Sequence, residues 1–147
     1  MAKLIFSSSI FLLFLTACAT NRSTSSAVEA EVSAVVQRQV LAWNVGDLAG
    51  FMETYARSDR TRFAGGAEVS FGWQTVYDRY RRKYGEAASS MGQLSFSDID
   101  ITVLAPDAAL AFGHWHLKRG QDETGGVFTL LFRKTNAGWR IVHDHSS

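Results

Sequence analysis

The chain has 147 residues, 46% of them hydrophobic, and a formal net charge of +1. This length and composition predict one globular domain with its own apolar core. The basic residues are scattered and form no stripe, so we do not expect nucleic-acid binding. The single cysteine excludes an internal disulfide bond and a cysteine-rich zinc site.

Residues 1–17 have the parts of a secretory signal peptide: Lys3, an apolar run from Leu4 to Leu15, and small residues before a break. The run is shorter than the ~20 apolar residues that a transmembrane helix needs. The stretch LTAC resembles the lipobox of bacterial lipoproteins, which implies a lipid on Cys18. Ala19 follows in place of an aspartate, which favours a periplasm-facing outer-membrane anchor over the inner membrane. The alternative is an ordinary secretory signal in which Cys18 is incidental.

Residues 18–26 are small and polar and predict a flexible tether, so the domain is expected to span residues 27–147. Its first helix is predicted from the spacing of apolar residues by three and four positions. Asp47 is a predicted N-cap of a short second helix, and Trp73 to Tyr84 form the third. Between these helices, Gly65-Gly66 predicts the turn of a small hairpin. The apolar stripe of the first helix is Val28, Val32, Val35, Val36, Val40 and Trp43.

The second half of the domain is predicted to be an antiparallel meander, because short turns separate its strands. The strands are expected at residues 93–104, 108–118, 126–134 and 139–145. The fold class is therefore α+β, with three helices and a small hairpin packed on one face of a curved four-stranded sheet.

The last strand contains two histidines on either side of Asp144. With Asn136-Ala137 as the turn, strict alternation pairs Leu130 with His143, Phe128 with His145 and Phe132 with Ile141. Both histidines then face the helices, and Asp144 faces outward with the other pair, His114 and His116. Histidine pairs on opposite faces cannot share one ion, so we predict no metal site. The outward face mixes apolar and polar residues and predicts a homodimer surface, comprising Phe112, His114, Leu131, Val142 and Asp144.

Four segments carry a resemblance to a known family: LAWNVGDLAGFMETY, Gly72-Trp73, PDAALAFGHW and GWRIVHDHSS. In their order and spacing they resemble the SnoaL-like branch, of unknown function, of the nuclear transport factor 2-like superfamily. The resemblance runs from about Val28 to Ser147. The related calcium/calmodulin-dependent kinase II association domain has a similar final stretch, matched here by Trp139, Val142, His143 and His145. The resemblance implies a cone of helices and bent sheet closing around a pocket, and dimers formed through the outer sheet face.

The pocket is predicted to be lined by inward-facing and mainly aromatic residues, and no pattern indicates a cofactor. Since alternation leaves no inward carboxylate on the main strands, we expect a non-catalytic pocket for a small, largely apolar ligand. One alternative is a small isomerase, dehydratase or cyclase with His143 as general acid or base and Tyr55 or Tyr77 orienting the substrate. Another is a non-catalytic dimerisation or assembly module. The predicted lining residues are Trp43, Phe63, Trp73, Tyr80, Trp115, Phe128, Leu130, Ile141 and His145.

Overall fold

The computed structural model describes the backbone of residues 13–147 and the side chains of residues 24–87 and 89–147. Most of the predicted signal peptide, residues 1–17, and the side chain of Cys18 lie outside the described residues. Within the described part of the chain, no helix is both long enough and apolar enough to cross a membrane.

Four helices precede the main strands. The first begins earlier than predicted, so the segment 18–26, expected to be a tether, is helical. The Asp47 carboxylate caps the second helix as predicted, accepting a 2.7 Å hydrogen bond from the backbone N–H of Gly50. The short fourth helix was not predicted. The helices are α1 (Leu13–Asn44), α2 (Leu48–Met52), α3 (Trp73–Tyr84) and α4 (Ala88–Met91).

The predicted antiparallel meander is confirmed, but it belongs to a larger mixed sheet of six strands. The small hairpin is not separate: its first strand pairs in parallel with the last strand of the meander. The two-residue turn of the hairpin is Gly66-Ala67, one position later than predicted, and Gly66 has a φ of 61°. The strands are β1 (Arg62–Gly65), β2 (Glu68–Phe71), β3 (Gln93–Ala105), β4 (Ala108–Arg119), β5 (Asp122–Thr135) and β6 (Gly138–Ser146), in the spatial order β2-β1-β6-β5-β4-β3.

The core lies between the helices and one face of the sheet. Helix α1 contributes most of its predicted stripe to this core, but Val40 is only half-buried. The amide of Gln39, which is 2% exposed, occupies the stripe instead. Residues 32, 36, 39 and 43 follow one another at intervals of three and four, so the helical period itself places Gln39 on the buried face.

A β-bulge interrupts the pairing of β5 with β6. The predicted pair Phe132 and Ile141 is confirmed, but Val142 has no partner in the ladder, and every later pair is displaced by one residue. The pairs beyond the bulge are Leu131 with His143, Leu130 with Asp144, Thr129 with His145 and Phe128 with Ser146.

The bulge overturns the predicted faces of the last four residues of β6. One extra residue reverses the alternation, so Asp144 and Ser146 point toward the helices, while His143 and His145 point outward. The predicted pairing of Leu130 with His143 and the inward placement of both histidines are therefore wrong. The placement of Asp144 on the outward face is wrong for the same reason.

Candidate ligand-binding site

A cavity of about 530 Å³ lies between the helices and the inner face of the sheet. This volume falls in the range of small-molecule sites in proteins. Its walls are mainly apolar and aromatic. Six of the residues predicted to line a pocket do line it: Trp43, Phe63, Tyr80, Trp115, Phe128 and Leu130.

Three other predicted lining residues lie elsewhere. Trp73 packs on the surface of α3, where its indole Nε1 donates a 2.9 Å hydrogen bond to the carbonyl of Met52. Ile141 is 0% exposed and belongs to the solid core below the cavity. His145 lies on the outer face beyond the bulge.

The aromatic rings of the helices form a continuous wall of edge contacts. The Trp43 ring centroid lies 5.0 Å from that of Phe51 and 4.9 Å from that of Tyr84. Tyr80 continues the wall, 5.2 Å from Phe51 and 5.5 Å from Phe63. These rings are held by one another, so the cavity has a largely fixed shape.

Asp144 supplies this cavity with a carboxylate, although strict alternation along β6 predicts none on the inner face. It is 3% exposed and accepts a 2.6 Å hydrogen bond from the hydroxyl of Tyr55 and a 2.7 Å hydrogen bond from Ser146. The hydroxyl of Tyr80 lies 3.5 Å from that of Tyr55. A carboxylate with two hydroxyl donors therefore faces a largely apolar space.

The position of Tyr55 follows from a short parallel bridge to β6. The backbone N–H of Ile141 donates to the carbonyl of Thr54 at 2.9 Å, and the N–H of Ala56 donates to the carbonyl of Ile141 at 2.8 Å. This bridge ties the segment after α2 to the strand that carries Asp144. The tyrosine hydroxyl is thereby fixed beside the carboxylate.

Burial shifts the proton equilibria of this group of residues. It raises the pKa of Asp144 to about 6, although the hydrogen bonds from Tyr55 and Ser146 oppose the shift. Burial, followed by the nearby Asp144 charge, also raises the pKa values of Tyr55 and Tyr80 well above 10. Near neutral pH the tyrosines are neutral donors, and the pKa of Asp144 lies about one unit below neutrality.

Two further polar groups of the cavity have no hydrogen-bond partner among the described residues. They are the amide oxygen of Gln39 and the indole Nε1 of Trp115, both fully buried atoms. An unpartnered buried polar group costs about 1–3 kcal/mol. A ligand that carries a hydrogen-bond acceptor for Trp115 removes part of this cost.

Two of the three residues predicted as catalytic do not reach the cavity. His143 faces outward, and its Nδ1 is buried without a partner in the described part of the chain. Desolvation and the nearby Arg62 lower its pKa. Tyr77 is half-exposed and donates a hydrogen bond to Glu86. The prediction of a catalytic His143 assumed an inward side chain, and that assumption is wrong. Of the three residues predicted as catalytic, only Tyr55 lines the cavity.

All four histidines of the chain lie on the outer side of the sheet, with the exposed Phe112 and the half-buried Leu131 and Val142. No group of three or more residues of metal-binding type gathers within the described residues. Asp144, predicted for the dimer surface, is not part of this side. Homodimerisation through the outer face stays a prediction.

Comparisons with known proteins agree with the geometry of a helix-covered, curved sheet. The model of the SnoaL-like domain family matches residues 32–147. A nuclear transport factor 2-like protein of unknown function from Shewanella oneidensis MR-1 is 34% identical, with a TM-score of 0.77 over 81% of this chain and 98% of that chain.

Two more distant structures share the fold. A nuclear transport factor 2-like protein of unknown function from Pseudomonas putida KT2440 is 20% identical, with a TM-score of 0.71 over 84% of this chain and 87% of that chain. A nuclear transport factor 2-like superfamily protein from Salmonella enterica serovar Typhimurium LT2 is 24% identical, with a TM-score of 0.68 over 83% and 91% of the two chains. No curated protein matches the chain.

Proposed function

Because the chain belongs to the SnoaL-like domain family, whose fold by itself specifies no function, we propose its function from the cavity. The protein binds a small, largely apolar molecule between its helices and its sheet. The observation that carries this proposal is the buried carboxylate of Asp144 in an aromatic cavity of about 530 Å³. Ligand sites typically combine apolar walls with a few fixed polar groups in this way.

The polar groups of the cavity specify what the ligand has to offer. The indole N–H of Trp115 calls for a hydrogen-bond acceptor, and the amide oxygen of Gln39 calls for a donor. Asp144 and its two hydroxyl partners form a third polar position. A ligand with an apolar body, a carbonyl or ether oxygen and a hydroxyl group meets these demands.

Binding can be tested with N-phenylnaphthylamine, an apolar dye whose fluorescence rises in dry cavities. We expect the protein to bind the dye, and Ser146→Trp to abolish binding because an indole at this position occupies the space beside Asp144. Ser95→Trp is the matched control, since Ser95 is exposed and pairs with His116 on the outer face. If Ser146→Trp stays folded by circular dichroism and binds the dye as before, the cavity is not the site.

A second candidate function, proton transfer, is favoured by the pKa of Asp144, which burial raises to about 6. The carboxylate would take a proton from the carbon next to a ligand carbonyl, and the resulting enolate oxygen would accept hydrogen bonds from cavity donors such as Trp115. The proton then returns to carbon. General acid–base catalysis of this type contributes about 10²–10⁴-fold to a rate.

Acetonaphthone in heavy water tests this candidate, because enolisation replaces its methyl protons with deuterium. We expect exchange above the buffer rate, reduced at least about 100-fold by Asp144→Asn. His143→Asn is the control and should exchange like the wild type, since that side chain faces outward. A protein that binds acetonaphthone but gives no exchange above the buffer rate would exclude proton transfer and leave the binding function intact.

A further inference from the structure

The opening of the cavity is marked by residues that both line it and are exposed. Lys83 near the end of α3, Gly66 in the hairpin turn and Ser147 after β6 have both properties. Arg79, one helical turn before Lys83, also lines the cavity. The cavity therefore opens between α3, the β1–β2 hairpin and the end of β6.

Two cationic groups lie over aromatic rings at this opening. The Arg79 guanidinium lies 4.9 Å from the ring centroid of Phe63, and the Nζ of Lys83 lies 5.1 Å from that of Tyr84. Both cations and both rings line the cavity. Arg119 also lies over the Tyr84 ring, at 5.5 Å, but it does not line the cavity.

Only one of the two cations at the opening is paired with a carboxylate. Arg79 pairs with Glu68 of the hairpin. Lys83 forms no ion pair with any carboxylate whose side chain the structure describes. Lys83 therefore places a positive charge beside an apolar interior, which attracts negative groups.

The interior of the cavity determines the orientation in which a negatively charged ligand can bind. A ligand anion placed beside Asp144 would bring two negative charges together in a site of low dielectric, which is unfavourable. The aromatic wall accepts an uncharged apolar body. A negative group is accommodated only where the cations and the solvent meet, at the opening.

We infer that the ligand is an amphipathic anion, with its apolar body in the aromatic cavity and its negative group at the opening beside Lys83. This inference rests on the proposed ligand-binding function and specifies the chemical class of the ligand. Carboxylates and sulfonates attached to a ring system or an alkyl chain belong to this class. A neutral apolar molecule of the same shape is a poorer ligand.

A matched pair of dyes tests the inference. Anilinonaphthalene sulfonate and N-phenylnaphthylamine share the same ring system, and only the first carries a negative charge. We expect the protein to bind the sulfonate about two- to fivefold more tightly, as for one favourable exposed ion contact. Added salt should weaken the binding of the sulfonate and leave that of the neutral dye unchanged.

Variants at the opening locate the effect. Lys83→Gln should remove the preference for the sulfonate without changing the affinity for N-phenylnaphthylamine. Arg82→Gln is the control, because Arg82 is exposed on the same helix but does not line the cavity. Dye binding counts as binding in the cavity only where Ser146→Trp abolishes it.

The outcomes separate the inference from the function on which it rests. If both dyes bind the cavity with equal affinity, or if Lys83→Gln weakens the binding of both equally, the anionic class is wrong and apolar binding stands. If neither dye binds in a way that Ser146→Trp abolishes, both the inference and the proposed binding function fail.

Discussion

The two halves of β6 follow the same sequence pattern but face different surroundings. In the first half, Trp139 and Ile141 point into the core, as alternation predicts. In the second half, the bulge at Val142 turns Asp144 inward and His143 outward. The comparison shows that one unpaired residue in a strand decides whether a cavity receives an imidazole or a carboxylate.

The choice between these two side chains matters for chemistry, because burial shifts their pKa values in opposite directions. On the inner face, burial raises the pKa of Asp144 to about 6. On the outer face, desolvation lowers the pKa of the half-buried His143. Five substitutions, taken from the largest expected effect to the smallest, test this difference between the inner and outer faces.

Asp144→Asn should change the pH dependence of stability most. Asp144 ionises near 3.8 in the unfolded chain and near 6 in the folded protein, so the wild type loses free energy of unfolding as the pH rises from about 4 to about 6. At pH 7 this loss is about 3 kcal/mol, so the asparagine variant should be the more stable protein by up to this amount.

Urea denaturation of both proteins at several pH values measures this effect. Below pH 4 the two proteins should have nearly equal stability, because Asp144 is then protonated in both states. A stability difference between wild type and Asp144→Asn that is the same at pH 4 and pH 7 would contradict the burial of an ionising carboxylate.

Tyr55→Phe should destabilise the protein by about 2 kcal/mol at pH 7, because Asp144 loses one of its two hydroxyl donors. The same loss disfavours the ionised form, so the pKa of Asp144 should rise above 6. Carboxyl-carbon NMR titration measures the pKa. Tyr77→Phe, which removes an exposed hydrogen bond to Glu86, should leave the pKa of Asp144 unchanged. A lower pKa of Asp144 in either variant would contradict the hydrogen bond from Tyr55 to Asp144.

Gly113→Ala tests the inner face next to the cavity. A Cβ at Gly113 would lie 2.7 Å from Cζ of Phe128, closer than real side chains approach. Moving this ring should cost about 1–2 kcal/mol of stability and alter dye binding. Ser95→Ala on the exposed face should change neither quantity, and thermal denaturation of both variants provides the comparison.

His143→Ala and His145→Ala should have the smallest effects. Both side chains point away from the cavity, so stability should change by no more than about 0.5 kcal/mol and dye affinity should not change. Equilibrium denaturation and dye titration measure both quantities. A loss of dye binding in His143→Ala comparable to that in Ser146→Trp would show that the face of this histidine is assigned wrongly.

Most of the fold is readable from the sequence because its signals are local. The apolar spacing of α1, the cap at Asp47 and the turns of the meander each depend on a few neighbouring residues. The burial of Gln39 was also readable, since it lies on the helical stripe between Val36 and Trp43. It was missed because apolar residues alone were counted.

The bulge was not readable in the same way. The adjacent apolar pair Ile141-Val142 is compatible with a regular strand or a bulged one, and strict alternation chooses the regular strand. The structure instead adds two contacts from distant parts of the chain, the Tyr55 bridge to Ile141 and the β1 strand beside His143. Strand β3 behaves similarly, with register shifts in its pairing to β4.

The sequence by itself determined the α+β class, the order of the elements and the aromatic character of the interior, because hydrophobic periodicity and turn chemistry act over short distances. Only the tertiary structure decided which polar groups reach that interior. Asp144, Gln39 and Trp115 come together from β6, α1 and β4. Their meeting depends on the register of paired strands, and a one-residue change in register moves a side chain to the opposite face of a sheet.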